Sequence, residues 1–485
     1  MARLSESSLP VGADGRADPI PIVVDLDGTL LRSDVLLESL LAVARAQPMV
    51  LAKVPFWLVR GSAVLKRQLV TLAPIDVSTL PFDIGLLEYL REQKSAGRRI
   101  VLASGSDVQI ADAVARHCGV FDAVFGSDGH VNLTAVRKRN RLVAEFGLKG
   151  FDYIGDNAQD LPIWAVARFA MLAGPSARLI AQAQSVASVQ RVFVRNSPAL
   201  GTYSSAMRVQ HWLKNLLVLV PILVGHHLYE PIFLRNAMLG ALCFCFAASG
   251  TYLLNDLLDL RTDRQHPRKK LRMLASGELP IAHALCMLPC LWLAALLLAM
   301  WLPIGFSYAL WVYILLMVAY SMRLKDFAII DALVLAMGYS LRILAGGQAV
   351  RIAVSPWLLV CSSAMFFGLA LLKRYAELAA LRCGTGTQTR VRAYRLTDAA
   401  VVAGLGGAAG CIAVALLALY PVIEPSDHAR WPIWLVCGCV LFWIGHMWLM
   451  ADRGQIHDDP VAFSLRDPVS RIFGLVTLVV LLVTT

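Results

Sequence analysis

The sequence predicts a molecule of two parts, an N-terminal α/β domain followed by an all-α polytopic membrane domain of about nine transmembrane helices. Three observations lead there. The 485 residues are 57% hydrophobic and only 16% charged, with a mean hydropathy of +0.61, too apolar for a soluble protein of this length. The apolarity is uneven: residues 1–200 read as a soluble domain, and 210–485 are mostly long apolar runs. Within the first part, three short apolar runs end in acids, hydroxyls or glycines and are separated by helical stretches, the pattern of a buried parallel sheet.

In chain order, residues 1–19 are polar, contain Gly and Ser, and are expected to be disordered; they do not read as a signal peptide. The first strand, Ile20-Pro21-Ile22-Val23-Val24, delivers Asp25-Leu26-Asp27-Gly28-Thr29-Leu30 at its carboxyl end, the edge where open α/β sheets bind ligands. A second strand, Arg99-Ile100-Val101-Leu102-Ala103, ends at Ser104-Gly105-Ser106. A third, Phe151-Asp152-Tyr153-Ile154, ends at Gly155-Asp156-Asn157-Ala158-Gln159-Asp160. Residues 34–72 are amphipathic, with Leu36, Leu37, Leu40 and Leu41, then Phe56, Trp57 and Leu58. They predict a small helical cap over the site, with an apolar face that also suits a membrane surface.

These strand ends resemble the haloacid-dehalogenase-like (HAD) phosphatase family over about residues 20–190. The resemblance implies a Rossmann-like domain at 20–195 in which Asp25 attacks phosphorus, Asp27 is general acid and base, and Ser104 holds a phosphoryl oxygen. It also implies Mg²⁺ held by Asp25, Asp27, Asp156 and Asp160. A lysine should pair with the phosphate; Lys138, 18 residues before Asp156, is the first candidate and Lys149 the rival. Chemistry asks for the same parts, because a carboxylate attacks a phosphate dianion only where cations screen the repulsion. The alternative is the same fold kept as an inactive scaffold.

A linker at 196–210 leads to the membrane domain, 211–485. Nine apolar segments fall at about 212–228, 236–255, 281–300, 303–321, 328–347, 356–373, 399–420, 432–450 and 469–485. Each is close to the roughly 20 residues that cross a bilayer. Six Lys/Arg lie within 261–272, then Arg323 and Lys325, six more within 373–395, then Arg453 and Arg466. The alternate loops carry only Arg235, Arg351 and Arg430. That bias puts the N-terminal domain on the cytoplasmic side of a bacterial inner membrane. It also accounts for the net charge of +11 without a nucleic-acid partner. The ten Cys lie mostly in apolar runs without metal-site spacing and read as small apolar residues.

The densest chemistry follows the second apolar segment, at Asn255-Asp256-Leu257-Leu258-Asp259-Leu260-Arg261-Thr262-Asp263. Acids at i, i+3 and i+7 share one face of a helix, here where a span meets water. Hard carboxylates suit Mg²⁺, which is often completed by substrate phosphates. Arg261, Arg264, His266, Arg268, Lys269, Lys270 and Arg272 follow and suit the remaining phosphate charge. The plainer alternative is a charged loop that only sets topology. Two further stretches stand out: Gln210-His211-Trp212-Leu213-Lys214-Asn215, and Tyr320-Ser321-Met322-Arg323-Leu324-Lys325-Asp326 with Asp331 and then Arg342. Asp331 and Arg342 are functional residues or an internal ion pair.

Together these stretches resemble the UbiA-type intramembrane prenyltransferase superfamily over about 205–485, and within it the decaprenyl-phosphate phosphoribosyltransferase branch. The branch features are Gln210 to Asn215 as quoted, His266-Pro267-Arg268-Lys269 with Ala275-Ser276-Gly277, Tyr320-Ser321 with Leu324-Lys325, and Lys373-Arg374-Tyr375-Ala376-Glu377. Four residues separate Asp326 from Asp331, where prenyltransferases have three between their acids, which favours the phosphoribosyl branch and leaves Asp326 in doubt as a ligand. The resemblance implies Mg²⁺ on Asp256, Asp259 and Asp263 with phosphoribosyl diphosphate as donor and polyprenyl phosphate as acceptor. Gln210, Lys214, Asn255, His266, Lys269, Arg272, Lys325 and Arg342 are the implied substrate contacts. The alternative is a prenyl diphosphate donor and an aromatic or other acceptor.

Overall fold

The computed structural model describes residues 20–195, 198–225, 227–383, 390–391, 393–423, 431–456 and 459–484. The expected disordered stretch 1–19 lies outside them. The chain divides into two compact units, one of Met1–Ala206 with Asp256–Leu285, the other of Met207–Asn255 with Cys286–Thr485.

The first unit is built on a six-stranded parallel sheet: β1 Ile22–Val24, β2 Ile100–Asp107, β3 Ala123–Ser127, β4 Asp152–Gly155, β5 Ala170–Ala173 and β6 Val189–Phe193. Their order is β3-β2-β1-β4-β5-β6, the doubly wound arrangement in which the chain reverses direction beside β1. Alternate side chains feed two cores. Ile22, Val24, Ile100, Leu102, Ile154 and Met171 face one layer of helices, and Val23, Val101, Ala103, Tyr153 and Leu172 face the other. That two-sided burial is why the strands read as continuous apolar runs. β1 is central, paired with β2 and β4, so its carboxyl end opens onto the loops of both neighbours.

Helices Val35–Ala46, Val54–Val59 and Ser62–Leu72 form the expected cap, with a small core of Val43, Trp57, Leu65 and Leu69. Asp34 caps the first of these helices through the Leu37 N–H. Phe56 and Leu58 stay exposed. The 256–285 segment packs in this same unit. Arg264 donates to both carboxylate oxygens of Glu38, at 3.1 and 2.6 Å, with both side chains buried. Gly277 takes φ +76°, and a Cβ there would stand 2.9 Å from the Arg32 Cβ, so this turn accepts only glycine without rearrangement.

In the second unit, seven helices among the described residues are long and apolar enough to cross a membrane: Pro231–Leu258, Ile281–Ala299, Ile304–Met322, Ile330–Val350, Pro356–Arg382, Leu396–Tyr420 and Ile433–Asp452. The chain is a multi-pass membrane protein. The other two expected spans differ. In place of the span expected at 212–228 stand a tight 3₁₀ stretch, Val209–Leu219, and a short helix, Val220–Val224, with Pro221 in its first turn. The last is a 17-residue helix, Pro468–Thr484. Small residues let helices approach closely: a Cβ on Gly250 would meet Trp292 Nε1 at 2.4 Å, and one on Gly346 would meet the Val218 carbonyl at 2.1 Å. Phe244, Phe306, Tyr313 and Ile314 fill the core behind these contacts.

Candidate active sites

At the carboxyl end of β1, the Asp25 carboxylate accepts from the Leu26 N–H at 2.9 Å and from Lys138 Nζ at 2.7 Å. Lys138 comes from helix Ala135–Phe146, is almost fully buried, and also donates to the Tyr153 hydroxyl at 3.0 Å. Tyr153 in turn donates to Asp160 Oδ1 at 2.9 Å. Lys149 is elsewhere, holding the Ala165 and Ala167 carbonyls at 3.1 and 2.9 Å. Oxygens of Asp25, Asp156 and Asp160 all lie within 4.8 Å of one another, the one such group of metal-capable side chains among the described residues.

Gly28 makes this approach feasible. It has φ +72°, and a Cβ there would fall 2.1 Å from Asp156 Oδ2. Burial, then the charges of Asp25 and Asp160, push the Asp156 carboxyl up to about 8. Burial and Asp25 push Asp160 up to about 6 against the pull of Lys138. Burial alone would lower Lys138; the Asp25 and Asp160 carboxylates outweigh it and hold the ammonium above its ordinary value. Three crowded hard oxygens, with the Asp156 and Asp160 carboxyls raised, are the donor set a small divalent cation relieves, so the residues fit Mg²⁺.

Asp27 does not join that group. Its Oδ1 accepts from the Val35 N–H at 2.8 Å and its Oδ2 from the Ser106 hydroxyl, with the Ser104 hydroxyl farther away at 3.5 Å. Its side chain therefore faces the cap hinge and the β2 loop, and a metal-ligand role for that carboxylate is not supported. Burial, then the nearby Asp34 charge, push the Asp27 carboxyl up to about 7. Such a group can hold and release a proton near neutrality. Ser104 Oγ accepts from the Ser106 N–H at 2.9 Å, so it shapes the loop while Ser106 makes the closer contact with Asp27. Lys66 of the cap was not singled out from sequence. Its ammonium donates to the Gly105 carbonyl at 2.6 Å and to Asn132 Oδ1 at 2.9 Å. A lone Lys on an amphipathic helix carries no local signal that could have marked it.

The acidic motif departs from one continuous helical face. Helix Pro231–Leu258 ends just before Asp259, which takes φ −97° and ψ 9° as the cap of a new short helix, Leu260–Gln265. Asp256 and Asp263 are buried, and Arg272 bridges them, at 3.0 Å from Asp256 and in close contact with Asp263. A guanidinium thus balances part of the acid charge. The donor types still suit a hard cation, with Asp259 intermediate in exposure. His266 Nδ1 accepts from the Arg268 and Lys269 N–H groups at 3.2 and 3.3 Å, a turn-forming role.

In the second unit, buried Lys325 donates to Asn255 Oδ1 at 3.0 Å. Asp331 and Arg342 do not pair. Asp331 binds Arg374 at 2.6 Å, and Arg374 also binds Glu377 at 2.7 Å. Buried Arg342 donates instead to Asn215 Oδ1 at 2.8 Å, the Gly338 carbonyl at 2.6 Å and the Tyr313 hydroxyl at 2.9 Å. All three acceptors are neutral. Lys214 binds Asp459 at 2.6 Å, a residue with no local motif to reveal it. Gln210 is exposed.

The chain thus joins a parallel α/β domain with a carboxylate–lysine cluster to a polytopic helical domain with an Asn-Asp-x-x-Asp-x-x-x-Asp motif. The UbiA prenyltransferase family model matches residues 218–473, and the chain belongs to that family. It is 33% identical over 465 residues to the uncharacterized protein y4nM of Sinorhizobium fredii, covering 94% of this chain and 89% of the relative. It is 34% identical over 271 residues to the nodulation protein NoeC of Azorhizobium caulinodans, covering 55% of this chain and 87% of that one. It is 30% identical over 284 residues to the decaprenyl-phosphate phosphoribosyltransferase of Mycolicibacterium smegmatis, covering 56% and 88%.

Proposed function

We propose that this chain is a bifunctional enzyme of a bacterial inner membrane. Its membrane domain, 211–485, moves 5-phosphoribose from phosphoribosyl diphosphate to polyprenyl phosphate. Its HAD-like domain, 20–195, then removes the 5-phosphate, leaving polyprenyl-phosphoryl ribose for cell-envelope glycan synthesis. The carrying observation is the Asp25–Lys138 pair beside Asp156 and Asp160, an arrangement suited to cleaving a phosphomonoester, in a chain similar to a phosphoribosyltransferase. A phosphatase is of use in the same chain when the transferase product bears a phosphate. The Lys/Arg bias of the loops supports a cytoplasmic position for both sites.

In the transfer step, Asp256, Asp259 and Asp263 would hold Mg²⁺, which supplies charge neutralisation for the leaving diphosphate. Lys269, Arg272, His266, Asn255 and Lys325 are the proposed contacts to the donor's phosphates. Lys214, Gln210 and Arg342 serve the anionic acceptor. An acceptor phosphate oxygen bonds to ribose C1 as the C1–O bond to diphosphate breaks. In the second step, Asp25, Asp156 and Asp160 would hold the phosphatase Mg²⁺, which screens the repulsion between carboxylate and phosphate. An Asp25 oxygen bonds to phosphorus, the bond to ribose O5 breaks, and Asp27 gives that oxygen its proton. Asp27 then takes a proton from the water that frees inorganic phosphate. Lys138 holds the Asp25 carboxylate and the phosphoryl oxygens together.

Product masses from purified enzyme with Mg²⁺, polyprenyl phosphate and phosphoribosyl diphosphate test this reading, with Asp25→Asn beside the parent. The parent should give the dephosphorylated ribosyl lipid and the variant its 5-phosphate. The family as a whole favours one second reading, a prenyl diphosphate donor with an aromatic or other acceptor. Diphosphate release from a prenyl diphosphate, with none from phosphoribosyl diphosphate, would select it.

A further inference from the structure

Within the second unit, one carboxylate faces two ammonium groups. Asp459 Oδ2 lies 2.6 Å from Lys214 Nζ and 3.7 Å from Lys373 Nζ. The Lys214 and Asp459 side chains are 9% and 14% exposed, while Lys373 is 34% exposed and opens the cluster to its surroundings. Glu377 also lies near Lys373 and is bonded by Arg374 at 2.7 Å, so its charge is shared. Aromatic rings wall the cluster. Lys214 Nζ and the Arg342 guanidinium both sit over Tyr339, at 5.7 and 5.5 Å. Arg208 lies over Tyr252 at 5.0 Å, and the His211 ring is 5.9 Å from the same residue.

The charges do not balance. Among the described residues, Lys214 and Arg342 bring two cations to Tyr339 and Lys373 brings a third to Asp459; Arg342 meets only neutral acceptors, and against these cations stand Asp459 and Glu377, the latter shared with Arg374. An excess of buried cations is costly unless an anion completes it. Asp459 is also divided between two tasks: its Oδ1 accepts from the Val461 N–H at 3.1 Å and caps helix Pro460–Arg466, while Oδ2 serves the lysines. It keeps the first anchor when the second is given up.

We propose that Lys214 and Lys373 form a binding site for a phosphate monoester, with Asp459 as the resident counter-ion that the phosphate displaces. A dianion matches two ammonium groups better than one carboxylate does, and aromatic walls exclude water around it. The ester is the headgroup of a polyprenyl phosphate or the 5-phosphate of the ribosyl donor, and in either form it rests on the transferase reading above. Asp459 and Lys373 are then specificity-determining residues with opposite effects on affinity.

The test is binding, read by intrinsic tryptophan fluorescence on the purified full chain in detergent without Mg²⁺, with Asp25→Asn in every variant and in the reference so that the α/β domain does not hydrolyse the probes. The probes are farnesyl phosphate, ribose 5-phosphate and inorganic phosphate. Lys373→Met should weaken the bound ester about tenfold and Lys373→Arg should stay within about threefold of the parent, as expected for one charge-assisted contact. Asp459→Asn should tighten binding, since the competing carboxylate is gone. A purely structural ion cluster would instead weaken both Met and Asn variants alike, and that result, or unchanged affinity in Lys373→Met, overturns the proposal. If Asp459→Asn does not fold, the contrast between Lys373→Met and Lys373→Arg decides by itself. Farnesyl phosphate binding assigns the site to the acceptor, and ribose 5-phosphate binding assigns it to the donor; binding of inorganic phosphate alone refutes a monoester site. Turnover is not needed for the readout. A parent that binds the ester but transfers no ribose removes the proposed function and keeps this site, whereas a parent that transfers ribose without these binding effects removes the site alone.

Discussion

Replacing Lys138 by methionine keeps most of the buried stem and removes one charge from a cluster of carboxylates. Lys138 Nζ is 2.7 Å from Asp25 Oδ1, and the two side chains are 5% and 9% exposed, so solvent screens the pair little. Removing one partner of such a pair costs about 3–5 kcal/mol of stability when the remaining charge stays buried. Protonation of Asp156 or Asp160, whose carboxyls are already raised to about 8 and about 6, absorbs part of that cost. Under the proposed phosphatase reading the effect on catalysis is larger in consequence, because the cation is needed most when negative charge builds on the phosphoryl group. Loss of one preorganised electrostatic contact lowers turnover by roughly 10²–10³, or about 3–4 kcal/mol. The assay is phosphate release by the full chain from ribose 5-phosphate, with melting followed in parallel to exclude unfolding. Lys149→Met is the control. Its ammonium touches only the Ala165 and Ala167 carbonyls among the contacts seen, so turnover should stay within about threefold. Parent-like hydrolysis by Lys138→Met, or loss of hydrolysis in Lys149→Met alone, would refute the assignment.

Other perturbations test neighbouring parts of the argument. Mg²⁺ at about one hundred times its dissociation constant should stabilise the α/β domain by roughly 2.7 kcal/mol, and Asp156→Asn should abolish that gain in a calorimetric melt. Gly28→Ala should abolish phosphate release and cost at least about 1–3 kcal/mol, because φ is +72° and the new methyl meets Asp156; wild-type turnover in that variant would contradict the packing. Arg264→Met should deprotect amides of residues 260–277 in hydrogen exchange, since the bidentate pair with buried Glu38 is lost; unchanged protection would show that the segment is held by other contacts. Burial would raise the Asp83 carboxyl, but the Leu86 N–H and Arg195 outweigh it and hold it below its ordinary value. Its contribution is therefore complete above about pH 4 and fades as pH falls through the lower folded value. Asp83→Asn should cost about 1–3 kcal/mol at pH 7 and flatten the acid limb of a stability–pH curve; an unchanged limb would assign acid unfolding to other groups.

The sequence by itself determined whatever is carried locally. Hydropathy separated the soluble and membrane parts, because burial in lipid requires long uninterrupted apolar runs. Asp25, Asp156 and Asp160 were legible because they lie just after buried strands, Asp25 after β1 and the other two in the segment that follows β4, and parallel strands bring such segments to one edge. The acids at 256, 259 and 263 were legible as a pattern beside a span, though their arrangement was not: the chain turns at Asp259, and Arg272 closes between Asp256 and Asp263. Tertiary structure alone decided partners that are distant in sequence. Spacing put Lys138 ahead of Lys149, but only the fold brings its ammonium to Asp25, 113 residues away. Asp331 found Arg374 on another helix rather than Arg342 on its own. Ser106, Lys66 and Asp459 sit in no pattern that periodicity can mark, and Asp459 meets Lys214 across 245 residues. Strand and span propensities are properties of short windows, whereas the choice of which charge neutralises which is settled only when packing fixes the distances.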